Sequence, residues 1–377
     1  MRLALALSWF ALLRLVDASY HLTREYSGQS FFSGWNFIAD WDRLTHGDVN
    51  YLGQQDASSQ HLAFVSDINT AIMKVDNSSN VPYNNKRSSV RIESTDFYGV
   101  GSLFIIDALH MPFGCSVWPA IWTKGAKWPD DGEVDIMEGV NLMTSNQMAL
   151  HTTPGCLHET PGDQEGTSGF KDCSKGSGCT VLEKKSNSYG AGFADAHGGV
   201  FAAQFDVSGL YIWFWSRPDI PDSIKQANST SSIDTSSWGT PSASYPTTSS
   251  CGITNFFGPQ QLVIDITLCG DWAGVQGIYQ STCHTTPTGN CTADNVFGPG
   301  SPRYDDAYFE IQYIRAYSAS NSTSGSSTTG DPSSAAGAPA TTTSSAAAGL
   351  QWMMASNELL MGLLSVATAG SLGLFLF

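Results

Sequence analysis

Glu133, Asp135 and Glu138 fall within six residues, in the run Glu133-Val-Asp-Ile-Met-Glu138 whose other members are apolar. Paired carboxyls suit cleavage of a glycosidic bond: one attacks the anomeric carbon or activates water, and the other protonates the leaving oxygen. The run reads as a strand, where side chains alternate faces, so Glu133 and Asp135 point the same way. Glu138 has the opposite parity. One inserted residue, a β-bulge, would turn it to the face of the other two, and bulges are common beside active sites for this reason. Carboxyls so placed lie near the ~5–5.5 Å separation of a double-displacement glycosidase. The competing reading is an exposed acidic strand edge. Trp118, Trp122 and Trp128 before the run and His151 after it favour a sugar cleft.

Sugar rings present C–H groups to which aromatic faces are good platforms. Trp272, in Cys269-Gly-Asp-Trp272, joins the same group. Any single Trp is as readily a core residue; several near three acids favour a substrate-lining role for Trp122, Trp128 and Trp272, and Trp118 fits either role. His151 suits a hydrogen bond to a carboxylate or to substrate, against the alternative of a satisfied core histidine. Arg91 shares a strand face with Ser89, opposite Val90 and Ile92. It is a candidate donor to sugar hydroxyls, against a surface ion pair. No phosphate-cradling glycine loop and no Gly-x-Ser-x-Gly nucleophile elbow occur.

The elements that must position these residues are strands. Runs rich in Val, Ile, Phe, Tyr and Trp, bounded by Gly, Pro, Asn and Asp, recur at 89–94, 101–110, 133–138, 147–153, 200–207, 210–216, 261–269 and 308–317. No long run has helical periodicity. This predicts an all-β protein of two packed antiparallel sheets. The polar segments 153–190 and 218–251 are long for loops in a compact domain and are candidates for cleft walls.

Both ends look removable. A short positive start, an apolar run and Val16-Asp17-Ala18 predict a signal peptide over 1–18. Residues 318–349 are nearly all Ser, Thr, Ala, Gly and Pro, the composition of a disordered stalk. A short spacer and an uncharged apolar tail make 350–377 a predicted GPI-anchor signal; a single-span helix is the alternative, disfavoured because no Lys or Arg follows the tail. The folded unit is then 19–317, ample for a sizeable core. The 34 acidic and 18 basic residues give a net charge of −16, which excludes a nucleic-acid partner and suits a neutral polymer. Eight cysteines behind a signal peptide predict disulfides rather than zinc, with Cys173–Cys179 and Cys283–Cys291 close enough for local staples. Sequons stand at Asn77, Asn228, Asn290 and Asn321.

The stretch Gly132-Glu-Val-Asp-Ile-Met-Glu-Gly-Val-Asn141 resembles the active-site signature of glycoside hydrolase family 16 in its bulged, laminarinase-type form. Companion stretches extend the resemblance across 19–317: Thr45-His-Gly-Asp-Val-Asn-Tyr51, Ser89-Val-Arg-Ile92, His110-Met-Pro, Trp118-Pro-Ala, Asn187-Ser-Tyr-Gly190, Trp238-Gly-Thr-Pro241 and Cys269-Gly-Asp-Trp272. The resemblance implies a β-jelly-roll sandwich, concanavalin A-like, with a cleft across its concave sheet. It implies a fungal endo-1,3(4)-β-glucanase with Glu133 as nucleophile, Glu138 as acid/base and Asp135 tuning the pair. Trp122, Trp128, His151 and Trp272 would line the cleft. Expected partners are a β-glucan polysaccharide, no nucleic acid, and a membrane through a lipid anchor only, at the cell surface. The chain is expected to act as a monomer and without a cofactor or metal. A transglycosylase acting on cell-wall glucan and a non-catalytic glucan-binding protein are the alternative functions.

Overall fold

The computed structural model describes residues 19–283 and 287–319. The signal peptide, the anchor signal, Asn321 and all but the start of the stalk lie outside the described residues. Twelve principal strands carry the fold: β1 (Tyr20–Ser27), β2 (Arg91–Ser94), β3 (Ser102–His110), β4 (Val117–Gly125), β5 (Glu133–Glu138), β6 (Gln147–His151), β7 (Cys179–Leu182), β8 (Gly199–Asp206), β9 (Gly209–Ser216), β10 (Ala243–Pro246), β11 (Gln260–Leu268) and β12 (Tyr308–Ala319). The last runs slightly past the boundary expected at 317. One sheet has the order Ser232–Ile233, β1, β12, β3, β8, β9, β10, and the other Thr167–Ser168, β7, β6, β5, β4, β11, β2, Trp35–Phe37. All these pairs are antiparallel, and together they form the expected jelly-roll sandwich.

Alternation decides what each sheet buries. Val117 and Ile121 of β4, Leu262, Ile264 and Ile266 of β11, and Met148 and Leu150 of β6 point inward. They meet Phe104, Ile106, Phe201, Phe205, Ile212 and Phe214 of the facing sheet. Burying each such side chain is worth roughly 1.5–3 kcal/mol, so this core fixes the register of both sheets. The intervening residues of the second sheet face outward and carry the acids.

The segment 218–251 does not wall the cleft over its first half. Ile220, Ile224, Ile233 and Trp238 pack on the outer face of the first sheet, against Trp213, Trp215, Leu103 and Ile105. That face is apolar at alternate positions and needs a cover, which this segment supplies. The segment 153–190 is not a plain loop either: it contains β7, which extends the acid-bearing sheet beyond β6.

Four disulfides form: Cys115–Cys283, Cys156–Cys251, Cys173–Cys179 and Cys269–Cys291. The Cys173–Cys179 staple is present, whereas Cys283 and Cys291 do not pair with each other. The helix Gln276–Thr282 turns Cys283 toward Cys115, just ahead of β4, and leaves Cys291 to meet Cys269 at the end of β11. Nearness in sequence does not fix the direction of a Cβ. Both bridges tie the segment that carries Trp272 to the acid-bearing sheet. Among the described residues no helix is long and apolar enough to cross a membrane.

Candidate active site

The bulge predicted from parity is present on both sides of β5. Against β4, Trp122 pairs with Asp135 and Ile121 with Met137, which leaves Ile136 over. Against β6, Asp135 pairs with Ala149 and Glu138 with Gln147. Val134, Ile136 and Met137 all lie in the core, and two consecutive inward residues are the mark of the insertion. Glu133, Asp135 and Glu138 therefore share the outer face. The strand is bracketed by two glycines that no other residue replaces without strain. Gly132 has φ +75°, and a Cβ there would meet the Phe257 ring at 2.3 Å; at Gly139 it would meet the Tyr189 ring at 2.6 Å.

Each acid has its own partner. Trp118 Nε1 donates to Glu138 Oε1 at 2.8 Å, and the Trp128 indole N–H donates to Glu133. His151 lies opposite Glu133 on β6 and brings Nε2 to 3.2 Å from Asp135 Oδ2. Trp128 is 44 % exposed and projects over Glu133, whereas Trp122 is buried to 7 % and packs with Ala120 and Val263. Trp272, on the short helix Gly270–Ala273, packs edge-on against Trp118 with centroids 5.5 Å apart. The three acids, Trp118, Trp128, Trp272 and His151 thus form one constellation.

Arg91 lies farther along the same face. The residue is 5 % exposed, and its guanidinium bonds Glu93 at 2.9 Å and Asp265 at 3.3 Å and lies 5.2 Å from the Trp122 ring centroid. Lys124 completes this row by donating to Glu93 at 2.7 Å. Arg91 is a buried ion-pair residue with its donors engaged, rather than a surface one. Burial raises Asp265 to about 7, with Arg91 opposing the rise.

Burial and neighbouring charge raise both glutamates. Burial, then the Asp135 charge, pushes Glu133 up to about 8. The same two causes raise Glu138 well above the carboxylate range, with the Trp118 indole opposing. Both acids resist ionisation, and their neighbours differ: the Trp118 indole meets Glu138, and His151 lies opposite Glu133. Burial would lower His151, but the charges of Glu133, Asp135 and Glu138 outweigh it and raise the imidazole to about 9. A cation beneath Glu133 stabilises its anion. One proton donor and one anion on the same face are what a double displacement needs. Glu133, Asp135 and His151 also place ligand atoms within 4.8 Å of one another, the one such metal-capable group found among the described residues. Carboxylate-pair hydrolysis calls for no metal.

Sequence reasoning missed what holds the bulge. Asn146, fully buried, accepts the Glu138 N–H through Oδ1 at 2.8 Å and donates Nδ2 to the Ile136 carbonyl at 2.9 Å. An Asn just before a strand is an ordinary turn residue and gives no such signal. Ser188 and Tyr189, in the stretch Asn187-Ser-Tyr-Gly190, belong to the same support and carry no local pattern that assigns them a role.

Residues 35–317 match the family described as XgeA-like, catalytic GH16 domain. Similar curated proteins include a probable endo-1,3(4)-β-glucanase of Aspergillus fumigatus, 37 % identical over 316 residues, covering 82 % of this chain and 47 % of that protein. A probable glycosidase of Schizosaccharomyces pombe is 36 % identical over 307 residues, covering 79 % and 69 % respectively. The chain thus spans about half the length of several of the curated relatives it matches. Among solved structures, the GH16 Laminarinase 16A from Phanerochaete chrysosporium, with 6-O-glucosyl-laminaritriose in donor and acceptor sites, superposes with a TM-score of 0.74 at 35 % identity. That match covers 80 % of this chain and all of the other. An elongating GH family 16 β-1,3-glucosyltransferase superposes at 0.72 with 38 % identity and the same coverage. A match over most of the folded unit, the bulged acid strand included, shows that this chain belongs to glycoside hydrolase family 16.

Proposed function

We propose that this chain is a retaining endo-β-glucanase that hydrolyses β-1,3 glucan, including mixed β-1,3/1,4 glucan. The observation that carries this reading is the bulge-aligned row of Glu133, Asp135 and Glu138 on one face of β5, with each glutamate accepting from its own indole N–H. In the first displacement Glu133 attacks the anomeric carbon and Glu138 gives its proton to the departing glycosidic oxygen. A glucosyl ester on Glu133 and a shortened chain result. In the second, Glu138 takes a proton from water, whose oxygen displaces Glu133. Asp135 beside Glu138 raises that acid's proton affinity, and the His151 imidazolium balances the charge on Glu133. Trp128 and Trp272 offer faces to sugar rings on either side of the acids. Laminarin, lichenan and cellulose digested separately, with products separated by length, test the reading. Release of internal oligosaccharides from laminarin supports it, and no release from any of the three refutes it.

A second reading has one specific support, the similarity to the elongating β-1,3-glucosyltransferase. If a glucan hydroxyl replaces water in the second displacement, products longer than the substrate appear. The stalk and terminal tail support surface attachment through a GPI anchor. Release of the native protein from cells by a GPI-cleaving phospholipase tests this, and persistence of residues 359–377 in the mature chain contradicts it.

A further inference from the structure

A β-bulge removes backbone groups from the ladder, and buried ones need other partners. Here one side chain supplies both. Asn146 accepts the N–H of Glu138 and donates to the C=O of Ile136, the bulge residue. Its own backbone N–H is bound by Ser188 Oγ at 2.9 Å, and that hydroxyl donates to the Lys185 carbonyl at 2.6 Å. Its carbonyl accepts the N–H of Glu183 at 2.8 Å. Asn146 and Ser188 are both fully buried. The adjoining Tyr189 ring lies against Gly139, the residue after Glu138, in space that a Cβ there would need. Thus the segment 183–189, outside the catalytic face, grips the end of β5 from behind.

We infer that Asn146, locked by Ser188, is a positioning residue: it holds the bulge that turns Glu138 toward the glycosidic oxygen and into the Trp118 indole. This rests on the proposed glucanase reading for its kinetic consequence. The chemistry selects the residue type. The Glu138 N–H needs an acceptor and the Ile136 carbonyl needs a donor on the same short side chain. A primary amide offers both, whereas a carboxylate offers acceptors only. A protonated carboxylic acid again offers one of each. Without the amide, the chain can relieve its orphaned groups by sliding β5 one residue against β6. That slip would return Glu138 to the core face.

The experiment compares Asn146→Ala, Asn146→Asp and Ser188→Ala in the full secreted protein. Asn146→Ala is expected to lower kcat on laminarin at least tenfold with KM within threefold, because substrate platforms stay in place while the proton donor is misaimed. Asn146→Asp is expected to match that loss where its carboxyl is ionised and, at lower pH where it protonates, to recover most of the kcat that the wild type shows at the same pH. Ser188→Ala is expected to show a smaller loss of the same kind.

An activity-independent readout is the Trp118 indole N–H resonance in the 15N-labelled protein, assigned with Trp118→Phe. It should move in Asn146→Ala, and in Asn146→Asp only where the introduced carboxyl is ionised. Equal kcat in all variants, or a KM-only effect with an unmoved Trp118 resonance, overturns the inference. A failure of Asn146→Ala to fold leaves the pH recovery of Asn146→Asp and the Ser188→Ala resonance to decide. If the wild type degrades no glucan, the glucanase reading falls, and the Trp118 resonance still decides the role of Asn146.

Discussion

Replacing Glu133 by Gln should stabilise this protein, and the gain should grow with pH. Burial and Asp135 raise Glu133 from 4.5 to about 8. A carboxyl whose folded value is raised contributes stability that is full below the unfolded value and is lost as pH rises through the folded one. The window here runs from about 4.5 to about 8. Each pH unit between the two values is worth ~1.4 kcal/mol, which sets a ceiling of ~5 kcal/mol. Two effects reduce it. The side chain is partly open to the cleft, where solvent screens the charge. The imidazolium of His151, raised to about 9, pairs with the Glu133 anion, and Gln forfeits that attraction. A net gain of ~2 kcal/mol at pH 8 remains. For a domain of this size ~1 kcal/mol moves Tm by ~2 °C. Calorimetric Tm differences between Glu133→Gln and wild type should therefore be near zero at pH 4 and about 4 °C at pH 8.5. Gln at this position keeps an acceptor for the Trp128 indole, so the comparison isolates the charge. A difference that is flat with pH, or largest at pH 4, would show that Glu133 is not a desolvated carboxyl. The variant should also lack turnover, the familiar opposition between a strained site and stability.

Trp118→Phe keeps the ring against Trp272 and removes the N–H that Glu138 accepts, a contact that opposes the raised proton affinity of that acid. The basic limb of the kcat/KM profile should move to higher pH, with kcat down about tenfold; an unmoved limb would assign that limb to another group. Arg91→Met strands Asp265 and leaves Glu93 to Lys124 alone, both acids being little exposed, and should cost ~3 kcal/mol by urea unfolding at pH 8. The cost should shrink toward pH 5, since Asp265 already sits near 7 and gains a proton there, and a pH-independent cost would point to lost packing on Trp122 instead.

How much of the fold and the site is legible in sequence follows from which physics is local. Strand alternation is local, so the odd parity of Glu138 by itself calls for a bulge. The apolar runs mark β3, β5, β6, β8, β9, β11 and β12 for the same reason. β1 escapes this reading, because its polar sequence Tyr-His-Leu-Thr-Arg-Glu-Tyr-Ser is made a strand by pairing with β12, far away in the chain. The segment 218–251 is misplaced by sequence reasoning because its few apolar residues answer to an outer sheet face that only the assembled fold creates. The partners of Cys283 and Cys291 depend on helix direction. Asn146 is invisible because its role comes from where two freed backbone groups end up, not from its own neighbours in sequence.

The central claim is that Glu133 attacks carbon directly while Glu138 handles the proton, and anomeric configuration reports it. The register puts all three acids on one face of β5, and a glutamate pair at the ~5–5.5 Å of a double displacement admits no attacking water between them, so the first product from a β-glucan should be the β anomer. Proton NMR of laminarin hydrolysis in the first minutes, before mutarotation, reads the anomeric signals directly. Initial accumulation of the β anomer is the predicted result. Initial accumulation of the α anomer would mean inversion, and the role of Glu133 and the bulge-based geometry would fall together.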